Sequence, residues 1–189
     1  MSWARVAAQG LGWLTTLPYR RPRSRVSLGR RILGNGRLRV EGPGRVELGD
    51  DVNAWSHAEV NHLVTTDRRA VIRIGRNARL NGCTLIAADR IEVGADCVLG
   101  SCEIRDHLPA TSLMRHRPAT DVAGPVVLED NVWVGGQVSV LPGVRVGKNS
   151  VIGIQAVVFD DVRSNVIVVG NPARVVRELE GVTRDNPTQ

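Results

Sequence analysis

An aliphatic side chain returns at every sixth position from Leu128 through Val134, Val140, Val146 and Ile152 to Val158. Four residues after each comes a second small or branched residue: Val132, Val138, Val144, Ser150, Ala156 and Val162. Gly135, Gly147 and Gly153 directly follow their aliphatic partners. Helices repeat near 3.6 residues and half-buried strands near two, so neither accounts for a period of six. The pattern predicts a repeat architecture of short strands joined by turns, in which each hexad forms one side of a triangular coil and about 18 residues close a turn. Stacked aliphatics, each contributing roughly 1.5–3 kcal/mol when buried, can hold such a narrow core.

The same rhythm enters gradually after Pro22, at Leu38, Val40, Val46 and Leu48. From Leu48 the six-step predicts Ala54 and Val60 inward, with Val52, Ala58 and Val64 four residues after each. It slips near Thr66 to Arg69, a polar stretch expected to bulge at a corner, and resumes at Ile74, Leu80, Val93 and Leu99. Between residues 106 and 125 it stops; a loop of nearly twenty residues in a compact solenoid is usually functional or disordered. Repeats return at Val127-Leu128 and run to about Val169. After Gly170-Asn171-Pro172, Ala173 to Glu180 reads as a short closing helix and 181–189 as a frayed tail. The predicted organisation is therefore an N-terminal extension over 1–29, a β-helix over 30–171 with a loop at 106–125, and a C-terminal helix and tail over 172–189.

Composition fits a thin core: aromatics make up only 3% of the 189 residues. Cys83, Cys97 and Cys102 are an odd number without zinc-like spacing, which predicts reduced buried thiols and a cytoplasmic protein. The net charge of +6 is unevenly placed, since residues 1–40 hold nine arginines and no acid. Trp3, Ala7, Leu11 and Leu14 recur at helical spacing before the Arg20 to Arg25 cluster, although Gln9, Gly10 and Gly12 weaken a helix there. Two readings of this segment stand side by side: a solvated basic extension, or attachment to an anionic surface, either a peripheral contact at the inner membrane surface or a glycan. No run reaches the roughly 18 apolar residues of a membrane span.

The run Asp130-Asn131-Val132-Trp133-Val134-Gly135-Gly136, followed by Leu141-Pro142-Gly143 and Gly170-Asn171-Pro172-Ala173-Arg174-Val175-Val176-Arg177, resembles the hexapeptide-repeat acyltransferases of the galactoside and maltose O-acetyltransferase type. The resemblance implies an all-β fold, a left-handed parallel β-helix that departs from the usual right-handed crossover. It also implies a homotrimer with sites between subunits, acetyl-CoA as donor, no metal, and a carbohydrate or glycolipid acceptor. By that resemblance His107, at the base of the loop, is the general base and Asn81 binds the acceptor. Trp133, Gly136, Ile154, Arg174 and Arg177 serve the coenzyme. The chemistry suits the residues. A neutral imidazole can take the proton of a hydroxyl as it attacks a thioester, an amide can both donate to and accept from sugar hydroxyls, and a backbone N–H at Gly136 can face an oxyanion. His116 is a second histidine of the loop. Ile154-Gln155-Ala156 replaces a commoner Ala-Gly-Ser, and Phe159-Asp160 stands where Thr-Lys is frequent.

Two other functions compete. His57 and His62 have a spacing like that of the metal pair of γ-class carbonic anhydrases, and His107 could add a third imidazole for zinc. A non-catalytic trimeric scaffold would keep the coil without the chemistry. Nucleic acid is not expected, since the basic segment carries no recognisable reading module.

Overall fold

The computed structural model describes residues 3–19, 24–108 and 122–179, with side chains described from Gly10 onward. Short strands stack into three parallel sheets that form the sides of a left-handed parallel β-helix. Sheet A runs from Val26–Leu28 to Arg145–Val146, sheet B from Leu33–Gly34 to Val166–Val169, and sheet C from Leu38–Glu41 to Val157–Val158. The hexad positions set the register. Leu128 pairs with Val146, Val134 with Ile152 and Val140 with Val158, and the members of each pair lie 18 residues apart. All six hexad aliphatics and all six residues four positions later are buried. Ile74, Leu80, Leu85, Val93, Leu99 and Ile104 continue these three columns in the earlier coils.

One corner shows how local conformational preference fixes the coil. After each sheet A strand the third residue has positive φ, namely Arg31, Asp51, Asn77, Asp96, Asn131 and Asn149, and Asn165 repeats this three residues after Val162, which bridges to Val146. Asn and Asp tolerate the left-handed region better than other non-glycine residues. Their side chains also bond along the stack, with Asn77 donating to Asp96 (2.7 Å), Asn131 to Asn149 (3.0 Å) and Asn149 to Asn165 (2.8 Å). At the corner between sheets B and C, Gln137 and Gln155 do the same, with Gln155 donating to Gln137 at 2.9 Å.

Three details differ from the sequence pattern. In the strand Asn61–Thr65 the inward residues are Asn61, Leu63 and Thr65, whereas Val60 and Val64 are only partly buried and Ala58 is exposed. The phase slips between Ala54 and Asn61, and a buried asparagine hides the slip. Asn61 is tolerated because its amide donates to the carbonyls of Ala54 (3.1 Å) and Leu80 (3.3 Å) and accepts from the N–H groups of Gly82 (2.8 Å) and Cys83 (3.2 Å). Arg174–Glu178 is a strand rather than the expected helix, antiparallel to Val166–Val169. The open edge of sheet B offers unpaired backbone groups, and the β-branched pair Val175-Val176 favours filling it. Residues 181–189, expected to fray, and Glu180 lie outside the described residues.

The helix α1, Trp3–Thr16, lies against the strand Leu33–Gly34 of the first coil. Gly12, which weakens the helix by propensity, is the contact point: a Cβ there would sit 2.3 Å from the carbonyl oxygen of Ile32. The first coil strand, Val26–Leu28, falls in the stretch that the pattern assigned to the extension. No helix among the described residues is long and apolar enough to cross a membrane.

Candidate active site

Trp133 lies on the outer face of sheet B, in register with Val98 on one side and Val151 on the other. The strand alternation that buries Val134 turns Trp133 outward, leaving its indole 58% exposed. Continuing along this row, Val151 pairs with Ile167 and Ile167 with Arg177. Trp133 and Arg177 therefore occupy one ribbon of the face, three strand spacings or roughly 14 Å apart.

The corner between sheets B and C borders this ribbon. Asn81, Gly100, Gly135 and Gly153 form a column there, each donating its N–H to the coil that follows, as Gly135 does to the Ile152 carbonyl at 2.8 Å. Gly135 must be small, because a Cβ would lie 2.9 Å from the Ile154 nitrogen. Gly136 is different: the space a Cβ would take is open. Its carbonyl accepts from Gln155, and its own N–H donates to no described group. Ile154 stands on the same corner, 73% exposed. Asn81 is two coils away, exposed, and its side-chain oxygen accepts a long bond from the His57 N–H (3.4 Å). The asparagine ladder of this coil passes through Asn77 instead.

His107 sits elsewhere, on the neck of the loop at the corner between sheets C and A. His107 pairs antiparallel with Ala123, and Leu108 with Val122. Gly124 donates to the Asp106 carbonyl (2.9 Å), and Gly143 in the next coil donates to the Gly124 carbonyl (2.9 Å). Most of the loop, residues 109–121, including His116, lies outside the described residues.

The residue that fastens this neck was not singled out by sequence. Asp106 is buried at an inward position, 1% exposed. Its carboxylate accepts from the N–H groups of Ala88 (2.7 Å), Asp89 (2.7 Å) and Arg90 (2.6 Å), which would otherwise be unsatisfied turn donors. The signal lay in its spacing: two residues after inward Ile104, it continues the strand alternation one step into what reads as loop.

Within one chain His107 and the Trp133–Gly136 region are not brought together. They occupy different corners, separated by the outer face of sheet C. Along the coil axis, however, they are close in level, because His107 precedes the coil of Trp133 by less than one turn. On the intervening face an open groove of about 270 Å³ begins at Gln137 and is lined by Glu59, Thr84, Ser101 and Ser139 among others. Ser101 donates to the Glu59 carboxylate there.

Arg174 lies near Asp160, at 3.5 Å, with both side chains largely exposed, so the acid at the unusual Phe159-Asp160 dipeptide competes for this guanidinium. Such exposed pairs hold weakly and exchange readily. His57 stands on the B–C corner and His62 on the outer face of sheet C in register with Thr84, while His107 is at another corner. Among the described residues no three His, Cys, Asp or Glu side chains are gathered as a metal set. Cys83, Cys97 and Cys102 are free and buried. Burial pushes the Cys83 thiol up to about 12 and the Cys97 thiol to about 11.

Residues 125–160, which carry Trp133, Gly136 and Ile154, match the family described as bacterial transferase hexapeptide (six repeats). That segment of the chain is a run of hexapeptide repeats of this family. The chain is 48% identical over 65 residues to the Saccharomyces cerevisiae protein named Putative acetyltransferase YJL218W, an alignment covering 34% of the chain and 33% of that relative. It is 34% identical over 99 residues to a likewise named protein of Schizosaccharomyces pombe, covering 52% and 48% respectively. The chain thus spans a third to a half of these relatives' length. In three dimensions it is similar to AntD, an N-acyltransferase from Bacillus cereus solved with dTDP and coenzyme A, with a TM-score of 0.68 at 17% identity over 96% of this chain and 90% of that one. The polysialic acid O-acetyltransferase OatWY superposes with a TM-score of 0.62 at 24% identity, over 86% and 79%. These two likenesses extend the shared coil to nearly the whole chain.

Proposed function

We propose that the protein is an acyl-CoA-dependent O-acyltransferase that moves acetyl from acetyl-CoA to a hydroxyl of a sugar, oligosaccharide or glycolipid. One observation carries this reading. A histidine is fixed on a hydrogen-bonded neck that projects from a hexapeptide coil, level with an exposed Trp133 and an open Gly136 amide. The names of the relatives, and the coenzyme A held by the structural neighbour AntD, support the same class.

His107 takes the proton of the acceptor hydroxyl as its oxygen attacks the thioester carbonyl. The Gly136 N–H donates to the oxyanion of the tetrahedral intermediate. As the C–S bond breaks, the imidazolium returns its proton to the departing thiolate, so the enzyme ends unchanged. Trp133 and Ile154 flank the pantetheine and adenine portions of the donor, while Arg177, and Arg174 once released from Asp160, meet its phosphates. Asn81 and the groove of Glu59, Ser101 and Gln137 offer alternating donors and acceptors, which suit a polyhydroxylated acceptor.

The parts complete one another in a homotrimer. Rotation about an axis parallel to the coil keeps axial level, so a threefold neighbour can bring its Trp133 ribbon to the His107 corner without sliding. The test is thiol release from acetyl-CoA across a panel of hydroxyl and amine acceptors. Acceptor-dependent release with a carbohydrate, lost in His107→Ala, is expected. Release with amines alone would overturn the O-acyl assignment, and no release with any acceptor would favour a scaffold.

A further inference from the structure

Among its described side chains, from Gly10 onward, the helix α1 buries one face. Gly12 and Thr16 are buried against the first coil, where Gly12 meets the Ile32 and Gly34 backbone. On the remaining surface stand Leu11 (40% exposed), Trp13 (53%) and Leu14 (57%), with Leu17 (41%) opening the 3-10 turn Leu17–Tyr19 that follows the helix. Leu11, Leu14 and Leu17 follow one another at three-residue spacing, and Trp13 lies beside Leu14 and four before Leu17, so the four make a continuous apolar strip.

The charge around the strip selects its occupant. Residues 1–40 contain nine arginines and no acid, while the other 149 residues carry 16 bases against 19 acids. Arg30 and Arg31 are taken up by Asp50 and Asp51. Arg25 and Arg39 are exposed and pair with no described acid. An apolar strip set in a purely cationic sequence, on a body of opposite net charge, matches an anionic lipid surface: the strip enters the headgroup boundary and the cations meet the phosphates. A second copy of the same cationic end would instead be repelled.

We propose that α1 docks the protein end-on upon an anionic bilayer. The placement follows from the fold. α1 sits on the first coil, and Trp133 lies four strand steps further along sheet B, roughly 19 Å from that coil at about 4.8 Å per step, with α1 between the coil and the lipid. The proposed active face therefore stays in water, within reach of an acceptor attached to that bilayer.

The full chain is tested by co-sedimentation with vesicles of phosphatidylcholine containing about a third phosphatidylglycerol, and with phosphatidylcholine alone. Binding to the anionic vesicles is expected, at least tenfold stronger than to neutral ones and weakened by salt. The variant Trp13→Ser/Leu14→Ser should bind at least tenfold more weakly while keeping the wild-type circular dichroism spectrum and melting temperature. Trp13→Phe should still bind but lose most of the vesicle-induced blue shift in fluorescence. Failure of the wild type to bind, equal binding to neutral vesicles, or undiminished binding by the double variant would each overturn the proposal. So would an oligomer that the double variant dissociates in the absence of lipid, which would make the strip a contact between copies.

Discussion

Replacing Asp106 by alanine withdraws one buried carboxylate from three backbone donors at 2.6–2.7 Å. Bonds to a charged acceptor contribute about 1.5–3 kcal/mol each, and a buried donor left unpaired costs about 1–3 kcal/mol. Water entering the vacated space recovers part of this, so a net loss on the order of 3–5 kcal/mol is expected. The loss should be local, because each coil of a solenoid contacts chiefly its neighbours. Hydrogen exchange at the Ala88, Asp89 and Arg90 amides should accelerate far more than at Val134 or Ile152, alongside a lower melting temperature. Asp106→Asn keeps one acceptor oxygen and should fall between. In the proposed reaction both variants should lower turnover, since the His107 neck hangs from the same residue, with little change in coenzyme affinity. Unaltered protection at 88–90, or a destabilisation below about 1 kcal/mol, would refute this reasoning.

His107→Ala should reduce turnover by roughly 10²–10⁴-fold, the usual share of a general base, with coenzyme binding nearly unchanged by calorimetry. Asn149→Ala should be more destabilising than Asn149→Gly by about 1–2 kcal/mol in denaturant titration, because the φ of 60° strains alanine and not glycine. The buried thiols should resist a thiol reagent at pH 8 in the native state and react fully once the chain is unfolded. Their raised folded values also set an alkaline limit. Unfolded thiols ionise near 9 while Cys97 and Cys83 stay protonated to about 11 and about 12, so the unfolded state binds fewer protons. Stability is then fully present below pH 9 and falls by about 1.4 kcal/mol per pH unit for each such thiol up to its folded value. A flat urea stability between pH 9 and 11 would contradict that burial.

The coil was legible because its signal is repetitive: a period of six carried by Leu128 to Val158 admits one stacking, and the 18-residue register follows. What escaped were the places where a polar group does an apolar residue's work. Asn61 and Asp106 point into the core because the backbone of the adjacent coil supplies their partners, and nothing in residue type alone reveals such partners. The strand at Arg174–Glu178 escaped for a related reason, since the edge it completes exists only after the coil has formed. Gly12 was legible as a helix weakener and not as a contact, because close approach is a tertiary fact. The candidate site was legible residue by residue. Its division between two corners was not, since sequence order does not show that His107 and Trp133 share an axial level on different faces.

The central claim is that this coil binds an acyl-CoA donor along the Trp133 ribbon. Calorimetric titration of the full chain with acetyl-CoA measures it most directly. The account predicts saturable binding at about one site per chain, because in the proposed trimer each chain contributes one Trp133 ribbon and one His107 corner. Absence of binding would contradict the account and leave the coil a scaffold.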